Sequence, residues 1–543
     1  MRLTITRIDV LMMDYKEYFN SLLATQTLES FTDDEALEII GGLVDLSLDL
    51  QRNDGIDTAL RLAEEFLDRN LTREMRALTH YFLANAWSNR QKLQRVDFTK
   101  AWEWEQEELE KEIIHIRLAA KYGCHHMVGS PEILPAQRQC QVWTNYGNLM
   151  SLVGRVAEGI EYRDKALCID PSFSMALGTQ GKGLLVYSDY LSDDGHRGVF
   201  IKQAYSLLKK ALEGNLHIDA KKAFENDVKR IEAAFQREFL TSYFDMSSFS
   251  LGDSKSEIEY RQWCLNNRLF LNPLNDLGPY SIGARDIISM PSIIVGIDEG
   301  PYYIGFFNQM KQEFASARYL FFDGINSSEL HFSDKDVLLY NTLDYPSYGL
   351  AVEKVKIAYR MVYSLFDKLA FFLRKYLDLD ISERDISFRK IWYVKKGRRD
   401  LLKEDFYHME NLPLRGLFWL SKDFYEDYVE KDAFRDSIEP EAKDLREIRN
   451  HLEHKYLKLH LPEWSKSDEG EFFSIGHIDS LAHSLYRSDF EVKTLKLLKL
   501  ARSALIYLTL AVQCEELKRR TEKFPDSVVV SLPSYVFDDR WKC

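Results

Sequence analysis

Proline and glycine are scarce in this 543-residue chain, at 13 and 26 residues. An all-β fold needs more turn punctuation than that, whereas long uninterrupted helices do not. Cysteine is scarcer still. Cys124, Cys140, Cys168, Cys264, Cys514 and Cys543 are scattered, with no CxxC pair. That spacing excludes a disulfide framework and paired zinc ligands, and it reads as reduced thiols of a cytosolic protein. Long apolar runs are missing as well. The longest candidate, Ala504–Val512, is about half of what a membrane span needs. The opening MRLTITRIDVLMMDYKEYF lacks the apolar core of a signal peptide. The expectation is a cytoplasmic protein with no membrane segment.

What is present is ample core material. Hydrophobic residues make up 45 %, aromatics 13 % and charged residues 29 %, the balance of an ordered globular chain. The length predicts two or three domains. The net charge of −14 argues against coating nucleic acid through bulk charge. It is unevenly spread: residues 351–543 hold 35 Lys and Arg against 34 Asp and Glu, and residues 1–350 hold 36 against 51. A polyanion therefore meets far less repulsion at the C-terminal part.

Residues 1–240 are helical in pattern and contain a degenerate repeat of about 34 residues. The clearest copy runs from Trp143 to Pro171, WTNYGNLMSLVGRVAEGIEYRDKALCIDP. Trp143, Tyr146, Gly147 and Met150 fall at helical spacing, Gly154 breaks the chain, and Gly159, Ile160, Ala166 and Leu167 carry a second helix up to Asp170-Pro171. Small residues at Gly147, Gly159 and Ala166 allow two antiparallel helices to approach closely. The segment resembles the tetratricopeptide (TPR) repeat, departing at Gly159, where alanine is usual, and at Arg163, where an aromatic is usual. Leu83–Trp87, Gly55–Leu67 and Ala204–Leu212 resemble partial copies, the last set apart by an insertion containing LSDDGHRG. The resemblance implies an α-solenoid.

Residues 241–304 lose helical periodicity and are rich in Gly, Pro, Asn and Asp. They read as an ordered connector with little regular structure, folded against the following domain. Helices return over 305–520. Over 348–377, Val355, Tyr359, Val362, Phe366, Leu369 and Phe372 form one apolar stripe. Residues 439–461 read as a second helix and 489–520 as the centre of a bundle. Residues 521–543 form a tail. The expected fold class is all-α.

The segment that carries chemistry is REIRNHLEHKY, Arg446 to Tyr456. On a helix, at about 100° per residue, Leu445, Ile448, Leu452, Tyr456 and Leu459 face the core. Arg446, Asn450 and His454 form an outward stripe at i, i+4, i+8. Arg449 lies between the stripes, about 140° from His454, so periodicity alone does not put the two in one site. The ion-paired surface reading also applies, since Arg449 and Glu453 are i, i+4.

The string Arg449-Asn450-His451-Leu452-Glu453-His454 resembles the signature of the HEPN superfamily (higher eukaryotes and prokaryotes nucleotide-binding domains): an arginine, a polar residue after it, then a histidine. A TPR-like region followed by a HEPN bundle is similar to bacterial proteins of phage defence and toxin-like growth arrest. The resemblance implies a metal-independent endoribonuclease needing no cofactor, with RNA as substrate. It also implies a homodimer through the bundle, with two motifs facing across the seam, and a protein or peptide trigger or inhibitor at the TPR-like domain. In that reading His454 handles the 2′-OH and 5′-oxygen protons near neutral pH. Arg449 stabilises charge on phosphorus, Asn450 orients His454 or a phosphate oxygen, and Arg446, Glu453 and Tyr456 are secondary. The alternative is a non-catalytic TPR/HEPN adaptor that binds proteins and dimerises.

A basic stretch, Trp392 to Arg399, offers Lys395, Lys396, Arg398 and Arg399 beside two aromatics, which suits an RNA backbone with Trp392 or Tyr393 stacking on a base; the other reading is a solvated loop. No metal site is expected. Cys124-His125-His126 with Cys140 lacks zinc spacing, His451, His454 and Glu447 lack an HExxH pattern, and the GKG at 181–183 lacks the rest of a phosphate loop.

Overall fold

A computed structural model describes residues 15–94, 103–124, 134–296, 299–327, 329–340, 342, 344–396, 399–424, 442–461, 479, 481–522 and 535–542. The N-terminal part is a succession of helices: α1 (Tyr15–Leu23), α2 (Asp33–Asp49), α3 (Asn53–Leu67), α4 (Arg73–Gln94), α5 (Glu107–Gly123), α6 (Ala136–Leu152), α7 (Val156–Ile169), α8 (Ser174–Tyr190), α9 (Asp194–Leu212), α10 (Ile218–Ala234) and α11 (Arg237–Thr241). Neighbours in sequence pack on one another, as expected of a repeat region.

The hairpin of α6 and α7 behaves as its small residues predict. A Cβ on Gly147 would stand 2.7 Å from the Gly159 carbonyl, and one on Gly159 would stand 2.8 Å from the Gly147 carbonyl. The odd Arg163 is buried at 1 % exposure. Its guanidinium donates to Gln180 Oε1 at 2.9 Å and Ser151 Oγ at 3.0 Å, so an arginine fills the aromatic slot by finding polar partners. The insertion after α8 is mostly helix: Asp193 accepts from the His196 amide at 2.7 Å and starts α9 ten residues before Ala204.

Between residues 241 and 304 the chain includes a helix not anticipated from sequence, α12 (Lys255–Asn266), and two short 3-10 turns. Leu269 to Asp276 are all buried. The C-terminal part comprises α13 (Tyr302–Asn326), α14 (Leu350–Tyr376), a hairpin of β1 (Tyr393–Lys396) and β2 (Arg399–Leu402), α15 (Glu404–Tyr407), α16 (Leu412–Ser421), α17 (Ala442–His454), parallel strands β3 (Tyr456–His460) and β4 (Ala482–Tyr486), and α18 (Arg487–Glu522). The architecture is all-α with two small two-stranded additions. All six predicted stripe residues of α14 are buried, and α18 packs along α14 and α16.

One hydrophobic core runs through both halves, from Ala77 to Val512. Polar groups fix how the halves meet. Asp423, in the 3-10 turn Lys422–Phe424 after α16, binds Arg117 of α5 at 2.8 Å and Arg155, just before α7, at 2.8 Å. All three are buried. Burial pushes the Asp423 carboxyl up, but the two guanidiniums outweigh it and hold it at about 2. Beside this clamp, Gly154, with φ +91°, lies so close to α16 that a Cβ would meet the Leu412 carbonyl at 2.1 Å. Arg502 of α18 ion-pairs with Asp276 and donates to the carbonyls of Phe270 and Asn272 at 2.8 and 2.9 Å. Trp104 Nε1 donates to the Met409 carbonyl at 3.1 Å.

Candidate active site

The motif lies on α17, whose Leu445, Ile448 and Leu452 are buried as the apolar spacing requires. Two side chains of α14 hold its backbone. Tyr359 Oη donates to the Leu445 carbonyl at 2.6 Å, and Arg360 donates to the Leu452 carbonyl. The second bond satisfies one of the carbonyls orphaned at a helix C-terminus.

The helix ends at His454, not near residue 461, and this corrects the sequence reading. From Tyr456 to His460 the chain is strand β3, paired in parallel with β4 in the register Tyr456–Ala482 to His460–Tyr486. Leu459 is buried, but from the strand, and Tyr456 is exposed at 39 % rather than part of the core stripe. Tyr456 hydrogen-bonds to Tyr348, whose phenol is raised to about 12 by burial and by that bond. The alternation of Leu457 and Leu459 was the available signal for a strand. Lys458 and His460 obscured it. Both are buried, Lys458 because Asp344 at 2.6 Å and Asp479 at 2.9 Å receive its ammonium, and His460 with Nδ1 on the Asp344 carbonyl at 2.9 Å.

Arg449 and Asn450 are half-buried and joined: Arg449 donates to Asn450 Oδ1 at 3.3 Å. The guanidinium also lies 5.7 Å from the ring centre of Tyr363 on α14, within cation–π range. It is close enough to Asp367 to act on that carboxyl, which burial pushes up and which the Phe388 amide and Arg449 partly restore. His454 is exposed, and its ring forms no hydrogen bond or ion pair among the described residues. The fold therefore bonds Arg449 to Asn450, while His454, one turn on from Asn450, hydrogen-bonds to neither among the described residues. Glu453 pairs across helices with Arg360, at 3.8 Å, rather than with Arg449. Arg446 is half-buried.

His451 donates from Nδ1 to the Glu447 carbonyl at 2.8 Å, since a carbonyl can only accept, and stacks on His483 of β4 at 4.9 Å. Sequence reasoning missed Tyr363, Arg360 and His483, which come from elements far away along the chain. Their only signal was membership of an amphipathic helix or a short alternating run.

The basic stretch is a β-hairpin, not a loop. Trp392 is fully buried, donates from Nε1 to the Phe388 carbonyl at 2.8 Å, and packs among Trp104, Phe406 and Phe418. Its ring is closed to a nucleobase, so the expected stacking by Trp392 is corrected. Lys395 is exposed on β1, the backbones of Lys396 and Arg399 lie in β1 and β2, and Arg398 lies outside the described residues. No cluster of three or more His, Cys, Asp or Glu suited to a metal occurs among the described residues; His125 and His126 lie outside them. Likewise, no helix among them is long and apolar enough to cross a membrane.

The C-terminal helical bundle bears Arg-Asn-x-x-x-His on a late amphipathic helix. Residues 294–515 match the family model of LA2681-like HEPN, and the chain thus carries an LA2681-like HEPN domain after a helical N-terminal region consistent with a fused repeat region. HEPN domains are generally ribonucleases, and they often bind RNA and dimerise. No curated protein matches the chain.

Proposed function

We propose that the protein is a metal-independent endoribonuclease whose site is built from Arg449, Asn450 and His454. The observation that carries this reading is the Arg449-Asn450-x-x-x-His454 string on α17 of the matched domain, with its core stripe buried and its histidine open to solvent. His454 takes the proton from a ribose 2′-OH, the 2′-oxygen attacks phosphorus, and the bond from phosphorus to the 5′-oxygen breaks. Arg449 stabilises the added charge on the phosphoryl oxygens by forked hydrogen bonds. A histidinium returns a proton to the leaving 5′-oxygen. The products are a 2′,3′-cyclic phosphate and a 5′-OH, and DNA is spared for want of a 2′-OH.

Within one chain His454 makes no hydrogen bond to Arg449 among the described residues, which supports a site completed by a second copy across a homodimer seam. The division of the chain follows the same reading: residues 1–240 as a TPR-like regulator taking a protein or peptide trigger or inhibitor, 241–304 as connector, 305–520 as the nuclease bundle and 521–543 as tail. A role in phage defence or toxin-like growth arrest rests on analogy between folds.

The test is incubation of purified full-length protein with labelled tRNA and total RNA in EDTA, beside His454→Ala and Arg449→Ala. Cleavage by the wild type alone, ending in cyclic phosphate, is the expected result. Growth arrest on induced expression, wild type against His454→Ala, covers the case of a required trigger. Equal RNA traces and equal growth in all samples leave the adaptor role.

A further inference from the structure

A long, flexible arginine stabilises a transition state only if it is aimed beforehand. On α17, Arg449 is held by the Asn450 amide oxygen at 3.3 Å and the face of Tyr363 at 5.7 Å, with the Asp367 carboxyl close enough to attract it. The Tyr363 ring is itself fixed. Phe424 meets it edge-on, at 5.8 Å and 88°. Phe424 also packs on Phe366 at 4.5 Å and on Phe388 at 6.3 Å. The residue before Phe424 is Asp423, the carboxylate clamped by Arg117 and Arg155 of the N-terminal helices. An unbroken line of packed groups thus runs from the repeat region to the motif arginine.

We propose that Tyr363 is a positioning residue for Arg449, and that Phe424 couples this arginine to the docked N-terminal helices through the Asp423 clamp. The inference rests on the ribonuclease reading of Arg449, and it adds to that reading a physical route by which the N-terminal region sets the state of the site. Tyr363 touches no substrate in this scheme; its ring face limits where the guanidinium can go. Undocking of α5 and α7 from Asp423 frees the turn that carries Phe424, and Tyr363 and Arg449 then lose their common support.

Three variants of the full-length protein test this: Tyr363→Leu, Tyr363→Phe and Phe424→Leu, each checked by thermal melting. In RNA cleavage, Tyr363→Leu lowers kcat by about tenfold or more with KM little changed. Tyr363→Phe, which keeps the ring face, stays within about twofold of wild type, and Phe424→Leu falls between them. A second readout needs no activity. The Arg449 Nε–H resonance, identified by its loss in Arg449→Lys, is shifted by the Tyr363 ring current. It moves in Tyr363→Leu and stays in Tyr363→Phe. An Arg449 resonance indifferent to Tyr363→Leu overturns the proposal, as does an equal loss of kcat in Tyr363→Phe and Tyr363→Leu. Absence of His454-dependent cleavage in the wild type sinks the ribonuclease reading instead, while the resonance still decides whether Tyr363 holds Arg449.

Discussion

The Asp423 clamp and the His454 end of α17 are polar clusters on the same bundle, one closed and one open. In the clamp, Asp423 is buried with Arg117 and Arg155, and Glu158, paired with Arg155 at 2.5 Å, balances the second guanidinium. Their charges act on nothing outside the protein; they set how the two halves dock. Tyr359 binds the α17 backbone near its start and Arg360 near its end, but His454 is left in solvent with no polar partner among the described residues. Buried charge is costly unless matched, so a matched buried set marks a structural joint. An exposed histidine with no partner of its own retains its bonding capacity for a ligand.

The sharpest way to break the contrast is Asp423→Ala. It takes the shared carboxylate from buried Arg117 and Arg155, leaving Glu158 as the one acid paired with Arg155, and costs about 3–5 kcal/mol, visible as an earlier denaturant midpoint. His454→Ala is the opposite case. It lowers RNA cleavage by about 10²–10⁴-fold and shifts stability by no more than about 0.5 kcal/mol, so activity and melting curves separate. Gly154→Ala places a methyl against the Leu412 carbonyl at a positive φ and costs about 1–3 kcal/mol, loosening the joint while leaving the clamp charges in place.

Acid acts on a third cluster, largely removed from solvent. His80 and His115 face each other through Nδ1 at 3.1 Å, so one nitrogen must donate and the other accept, and the pair is neutral. Burial lowers His80 to about 4 and His115 to about 3, with Arg76 adding to the first and His80 and Lys111 to the second. Both folded values lie below the ordinary 6.5, so the unfolded chain gains protons first. Stability is full above about pH 6.5 and falls as pH drops toward 4. Asp423, held at about 2, is still charged there, so its stabilisation is lost only at lower pH. Melting temperature against pH, for wild type and His115→Gln, checks this: the variant has the shallower slope between pH 6.5 and 4. The smallest expected effect has the other sign. Gly305 on α13 is exposed, and a Cβ there would meet nothing within 4 Å. Gly305→Ala therefore stabilises by up to about 1 kcal/mol and leaves cleavage unchanged.

Elements whose pattern is self-sufficient were legible in the sequence. The α14 stripe needs only its own 3.6-residue period, and the approach of α6 to α7 needs only glycines at both contact points. The core face of α17 was legible to Leu452. Beyond His454 the same letters fit a longer helix or a strand, and β4, which decides for strand, begins at Ala482 after a long connection. Trp392 looked like an exposed aromatic beside lysines because Trp104, which helps bury it, belongs to the other half of the chain. The clamp was invisible, since nothing near Asp423 in sequence announces Arg117 or Arg155.

Residue order alone determined that this protein would be mostly helix and where the α6–α7 hairpin would fold, because helical periodicity and close glycine contacts are local. Tertiary structure decided where α17 stops, that Arg449 turns toward Asn450 and Tyr363 while His454 stays in solvent, and that the N-terminal helices grip the turn before the motif. Those outcomes depend on desolvation and pairing among groups tens to hundreds of residues apart, and only the packed chain brings such groups into contact.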